Sequence, residues 1–451
     1  MYKTHPTRRR HTHARLRPLL AGSCLLAASP LFAQSSAELE DEVAQLRARL
    51  AEAEAALSQA QSTEAAAVQR AEDAEQQLDL AADTGPSKIV VGPFSIGGAI
   101  RANYTLGDYP NGGAPSRGGD GGNISLDTFR INVDFAQDNW LGKAEYRWYD
   151  GYNFLHTGWV GYQFENDDVL QVGLNRVPFG PGAYGVSQSW FFDQHYYVGL
   201  SDDMDIGAKY SGVRDNVSFD LAAYIAGDGQ WKGASSESAR YSYDVVNESG
   251  EGYKEAGQLN ARVIVSTELG EATVDYGASL QYGLLESDGP QDDGSHYAAS
   301  IHAVAKQGNW TLAPQLTYYK YDIDPHEVQS GAVTDELIDM GAYDFAWPVA
   351  AEAWVGAISL SYYHATPELD WLDYVIPYIE YSSIMKTADG FNNSDLFVIG
   401  AAWGRGGWYI YTDYALSDGN YFVGGDDFTT FGANPNDDWQ YRLNVNFGYY
   451  F

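Results

Sequence analysis

From Lys88 onward, apolar and polar positions alternate with a period of two. In the last thirteen residues, Trp439, Tyr441, Leu443, Val445, Phe447, Tyr449 and Phe451 occupy the odd positions, and the even positions are mostly polar. Successive side chains of a strand point to opposite faces, so such a segment presents one face to an apolar medium and the other to water. The same pattern recurs upstream. Phe129, Ile131, Val133 and Phe135 alternate with Thr128, Arg130, Asn132 and Asp134; Ala144, Tyr146 and Trp148 alternate with Lys143, Glu145 and Arg147. The alternation predicts strands centred near residues 100, 130, 146, 160, 172, 207, 221, 263, 277, 301, 315, 358, 378, 399, 411 and 445. That is about sixteen, an even number. Short connections near 137–139, 166–168, 213–215, 269–271, 307–309 and 404–406 alternate with long ones at 109–123, 228–256, 286–295, 323–350 and 418–436. Short turns on one side and long loops on the other predict an all-β transmembrane barrel of antiparallel strands over residues 88–451. Eight strands enclose only their own side chains, whereas sixteen leave room for an aqueous channel.

The first part of the chain reads differently. Lys3, Arg8, Arg9, Arg10, Arg15 and Arg17 precede an apolar run from Leu19 to Phe32 that is too short to span a bilayer as a helix. Residues 1–33 are therefore expected to be a cleaved signal peptide. Residues 34–87 are expected to form a helical coiled-coil segment and linker. Leu39, Val43, Leu46, Leu50, Ala53 and Leu57 alternate spacings of four and three, and alanines continue the register to Leu78. At 1.5 Å per residue the helix would reach roughly 70 Å. A single solvated helix is the other reading of this stretch. Asp83-Thr84-Gly85-Pro86 ends it.

Composition agrees with the barrel: 48 Gly, 34 Tyr, 18 Phe and 12 Trp among 451 residues. The net charge of −34 argues against nucleic acid as a partner, because polyanions recruit basic surfaces. The acidity has two readings, well-solvated loops or a vestibule that concentrates cations. Cys24, the one cysteine, lies in the expected signal peptide, which leaves the mature chain without a disulfide. Nothing in the sequence calls for a cofactor.

A wide channel selects through a constriction, and residues 176–203 are the candidate. Tyr184, Trp190, Phe191, Phe192, Tyr196 and Tyr197 make this connection too aromatic for a loop bathed in water. It can fold inward against the barrel wall or pack on neighbouring loops outside. Arg101, Arg130, Arg147 and Arg442 face inward by the alternation and fall on strands that become neighbours when the barrel closes. Facing Asp193, Asp202 and Asp203 of the loop, they would set a transverse field across the pore. The competing reading pairs each arginine locally with an acid such as Glu145 or Asp134. Tyr184, Trp190 and Tyr196 can line a sugar path or simply pack. The histidines are scattered without a flanking motif, and no catalytic residue is expected. Asp202-Asp203-Met204-Asp205, Asp292-Asp293 and Asp426-Asp427 offer oxygens but lack calcium-loop spacing, and no metal site is expected.

The signal peptide, the coil, the sixteen-strand pattern, the inward third loop and a final strand ending in Phe451 resemble a Gram-negative trimeric porin. Val172-Gly173-Leu174-Asn175-Arg176-Val177-Pro178-Phe179-Gly180 is similar to a strand-to-loop junction of the phosphate-selective porins. The resemblance implies a passive channel for small hydrophilic solutes and ions in the outer membrane of a Gram-negative bacterium. It also implies a homotrimer in outer-membrane lipid, an N-terminal coil in the periplasm that can reach the cell wall, and a terminal Phe451 read by the barrel assembly machinery. Phosphate selectivity in that family depends on basic residues at the constriction. Here the loop holds Arg176 and no lysine, and residues 88–451 carry 18 Lys and Arg against 49 Asp and Glu. A mildly cation-favouring diffusion channel is therefore expected. A substrate-specific channel for a small anion or a sugar is the alternative, and a barrel enzyme or adhesin is further from the pattern.

Overall fold

A computed structural model describes residues 89–109, 121–248, 250–436 and 438–451. The expected signal peptide and coil lie outside the described residues. Sixteen antiparallel strands form one closed sheet: β1 (Phe94–Gly107), β2 (Asn123–Gln137), β3 (Trp140–Trp148), β4 (Asn153–Gln163), β5 (Val169–Arg176), β6 (Met204–Arg214), β7 (Val217–Ala226), β8 (Tyr253–Leu269), β9 (Ala272–Ser287), β10 (Gly294–Gln307), β11 (Trp310–Asp322), β12 (Glu352–Tyr362), β13 (Tyr374–Lys386), β14 (Ser394–Arg405), β15 (Trp408–Asp418) and β16 (Trp439–Tyr450). Each expected strand centre falls inside one of them. β1 closes the barrel on β16, with Ala99 opposite Tyr450 and Gly107 opposite Arg442. Ile89–Val91 folds back on the start of β1 as a short extra strand. No α-helix occurs among the described residues.

The short turns follow from local backbone chemistry. Asp138, Asp215, Gly270, Gly308 and Gly406 all adopt the left-handed conformation that two-residue hairpin turns require. Two connections at this end are longer: that between β4 and β5 has five residues, 164–168, and that between β12 and β13 has eleven, 363–373.

Burial is inverted relative to a water-soluble protein. Ile100, Val160, Val172, Leu221, Leu259, Leu280, Ile301 and Ile399 are exposed on the outer face, whereas Asn103, Asn260, Gln281, Gln315, Asn444 and Asn446 are buried within. Such a surface is stable only against an apolar solvent, and a closed barrel is the sheet that leaves no unpaired edge there. Aromatic pairs lie across neighbouring strands at the short-turn end: Trp140 with Tyr162, Trp310 with Tyr362 and Trp408 with Tyr449, centroids 4.7–5.1 Å apart. Trp354 on Tyr318 and Tyr414 on Tyr441 lie toward the other end. Two aromatic bands mark where an apolar layer meets polar surroundings.

Candidate functional site

The interior is where the structure concentrates polar chemistry, and the loop between β5 and β6 organises it. Gly180 opens the crossing. Its φ is +66°, and a Cβ there would lie 2.9 Å from the Gln315 amide, so glycine is favoured. Its N–H donates to Ser279 Oγ on β9 at 3.0 Å, and its carbonyl accepts from Arg262 on β8. Val186 packs on Ala313 and Ala357 of β11 and β12. Ser187 Oγ donates to Glu380 Oε2 on β13 at 2.6 Å, and Gln188 N–H donates to the same carboxylate. Trp190 N–H donates to Asp413 Oδ2 on β15 at 2.9 Å, and its indole N–H reaches Asp127 on β2 at 3.4 Å. Gln194 N–H donates to Ser382 Oγ. The loop thus crosses the lumen, follows the opposite wall, and returns to β6 through a single 3-10 turn at Tyr196–Val198.

Asp193 does not face the arginines. It binds its own loop, accepting from Val186 N–H and His195 N–H and pairing with His195 Nδ1 at 2.7 Å; His195 Nε2 meets Thr317 Oγ1 on β11 at 2.9 Å. An Asp–His–Thr chain has the order of a nucleophile relay, but His195 and Thr317 are wholly buried, and Thr317 also donates to Ser300 at 2.8 Å. It fastens the loop to the wall. Asp202 pairs with Arg176 at 2.9 Å and accepts from the Tyr241 hydroxyl. Asp203 is buried beside Asp205 and Asp244.

The four wall arginines find other partners. Arg101 Nε lies 2.8 Å from Asp127; Arg130 and Arg147 share Glu145, at 3.3 and 2.5 Å. Arg442 forms no ion pair among the described residues. Its guanidinium lies 4.0, 4.9 and 5.2 Å from the ring centroids of Tyr109, Trp190 and Phe191, and it donates to Phe422 O and Asn444. The expected opposition of an arginine wall and loop acids is thus replaced by local pairs. The cause is distance: acids on adjacent strands meet the guanidinium groups before the loop does.

The loop aromatics pack. Tyr184 stacks on Phe192 at 5.1 Å, and Tyr196 is buried against Tyr243 at 4.6 Å with its hydroxyl 2.5 Å from that of Tyr343. Tyr184 thus packs within its own loop, whereas Tyr243 and Tyr343 come from loops for which the sequence predicts no strands. Leu337–Ala342 and Phe345–Ala350 form a hairpin turned at Tyr343-Asp344, and Asp244–Val245 pairs with it. Trp347 of the hairpin is buried among Tyr243, Phe422 and Phe431. Two apolar runs separated by two residues carried this signal, without the Asn-Gly pair that usually announces such a turn. Phe451 is held in register on β1, its N–H and carbonyl bonded to Gly98 at 2.9 and 2.7 Å.

No protein-family model and no curated protein sequence matches the chain. Solved structures do. The outer membrane channel DcaP of Acinetobacter baumannii superimposes with a TM-score of 0.52 at 11% identity, over 81% of this chain and 100% of that one. An anion-selective porin from Comamonas acidovorans gives 0.51 at 11% identity, over 79% and 99%. At this identity the likeness is one of fold: the chain is built as outer-membrane channels of the porin type are built.

Proposed function

We propose that the protein is an outer-membrane channel that passes small hydrophilic solutes and ions through a lumen narrowed by residues 176–203. The inverted barrel carries this reading: an apolar outer face, a polar interior, and an inner loop fastened to the far wall at Glu380, Asp413 and Thr317. A protein that only anchors a surface structure has no need of a loop tied across its lumen. Selectivity follows from charge. The wall arginines Arg101, Arg130, Arg147 and Arg442 are balanced in number by Asp127, Glu145, Glu380 and Asp413, so the cation preference rests on the excess of 49 Asp and Glu over 18 Lys and Arg in residues 88–451. The mouth hairpin and its aromatic packing narrow the opening, which supports a small conductance for a sixteen-stranded barrel.

A substrate-specific channel is the second reading, and the tight packing of Tyr184 and Tyr196 favours a narrow path over an open pore. In the same proposal the heptad segment 34–87 joins three barrels in the periplasm, and Phe451 serves barrel assembly. Single-channel recording of the refolded protein in a planar bilayer, with the reversal potential measured across a KCl gradient, tests the channel reading. Cation-favouring steps support it. A bilayer that stays silent with correctly folded protein overturns it.

A further inference from the structure

A second set of carboxylates gathers where the inner loop ends, outside the constriction contacts. Asp203 closes that loop, Asp205 is the second residue of β6, and Asp244 lies in the short strand of the 227–252 connection. All three are buried, and one ligand oxygen of each lies within 4.8 Å of the others. Oxygens bound to one calcium ion at 2.3–2.6 Å stand at most about 5 Å apart, so this spacing fits a shared ion.

An acidic cluster alone would mean little. The independent sign is unmet hydrogen bonding. Oδ1 of Asp203, of Asp205 and of Asp244 is buried without a partner, as is Oδ1 of the neighbouring Asp228. The second oxygens of three of them are used: Gln258 donates to Asp205 at 3.1 Å, Arg240 to Asp244 at 2.7 Å, and the N–H of Tyr241 to Asp228 at 2.9 Å. Glu255, whose Oε1 accepts from the Val245 N–H at 3.4 Å, adds a further carboxylate next to Asp244. Among the described residues, Arg240 is the one cation paired within the group. Five carboxylates around a single guanidinium leave a buried excess of negative charge that needs a counter-ion or protons. A hard dication takes six to eight oxygens and would use the orphaned atoms directly.

We propose that Asp203, Asp205 and Asp244 form a calcium-type cation site, with Asp228 and Glu255 at its margin, that ties the end of the inner loop to β6 and to the 227–252 connection. Sequence spacing hides it, because Asp244 joins the other two only through the fold.

The test uses the refolded full chain, stripped with EDTA and held at pH 7 in high salt so that surface acids bind little. Terbium luminescence, excited through tyrosines such as Tyr243 beside Asp244, reads occupancy. One saturable site per chain, displaced by Ca2+, is the expected result, and Asp205→Asn and Asp244→Asn should weaken it at least about tenfold, as loss of a charged ligand does. Asp426→Asn, an exposed acid in another loop, should leave it unchanged. Unaltered binding in both cluster variants overturns the proposal. Should those variants fail to fold, the wild-type chain decides it alone: absence of a Ca2+-displaceable site means that the carboxylates are neutralised by shared protons. The readout is binding, so its failure is separate from any failure of conductance.

Discussion

Two arcs of the inner wall use buried carboxylates in opposite ways. On β2 and β3, Asp127 and Glu145 sit against Arg101, Arg130 and Arg147. On β13 and β15, Glu380 and Asp413 have no such cation and instead collect N–H and O–H donors. Glu380 takes Ser187, Gln188 and Ser359; Asp413 takes Trp190 and Tyr378. The first arc settles its charge within the wall before any loop arrives. The second holds unspent acceptors, and the inner loop supplies their donors. Acids of the same type thus either neutralise a wall or grip a loop, and whether a guanidinium lies in ion-pair reach of the carboxylate decides which.

The sharpest way to break this contrast is to exchange each acid for its amide. Glu145→Gln strands two buried guanidinium groups, and breaking a buried pair from one side costs about 3–5 kcal/mol. Urea unfolding of the barrel in lipid should show that loss, together with a reversal potential shifted toward anions. Glu380→Gln keeps one acceptor oxygen and removes charge that no base was matching. Its cost should stay at about 1–3 kcal/mol, that of partly unmet donors. Equal losses for the two variants would erase the distinction between the arcs.

The gripping arc makes a further claim about conduction. Asp413→Ala leaves the Trp190 N–H buried without its acceptor, at about 1–3 kcal/mol, and loosens the loop where it crosses to the far wall. Single-channel currents should become larger and noisier, with the reversal potential shifted toward anions as the wall loses a negative charge. Thr317→Val removes the His195 contact together with the wall contacts to Ser300 and Gln315 and should cost about 1–3 kcal/mol, with a smaller rise in current noise. A quiet, wild-type current in Asp413→Ala would mean that packing of Phe191 and Tyr197, rather than the wall acids, holds the loop.

The barrel was legible because period-two alternation is a local signal, and every strand from Phe94 to Tyr450 carries it. The inward direction of Arg101, Arg130, Arg147 and Arg442 could be read for the same reason. Their partners could not. Whether Arg101 meets Asp127 or a loop acid depends on register between strands, which no single strand encodes. The role of Asp193 is hidden for a related reason: it serves His195, two residues away, and a short-range hydrogen bond leaves no mark in a charge pattern. The mouth hairpin at 337–350 was missed because its turn residues, Tyr343 and Asp344, are unusual for their left-handed backbone. Asp344 is stabilised there by accepting from Ala234 and Ser235 of a distant loop.

That hairpin holds a third kind of buried carboxylate, which sharpens the contrast between the arcs. Asp339 has no arginine, and its one backbone donor is the Gln329 N–H at 2.7 Å. Burial raises its pKa from the ordinary carboxylate range to about 7. A raised carboxyl favours the proton in the folded state, so its contribution to hairpin stability is complete below the unfolded value near 4. It is lost as pH rises through about 7. Between pH 6 and 8 the ionised fraction goes from roughly one tenth to nine tenths, and the hairpin should loosen over that window. Conductance should therefore rise modestly from pH 6 to pH 8, along with faster amide exchange in residues 337–350. Asp339→Asn should flatten both responses, because its amide stays neutral throughout. An unchanged pH response in Asp339→Asn would assign the titration elsewhere and leave the hairpin a fixed part of the mouth.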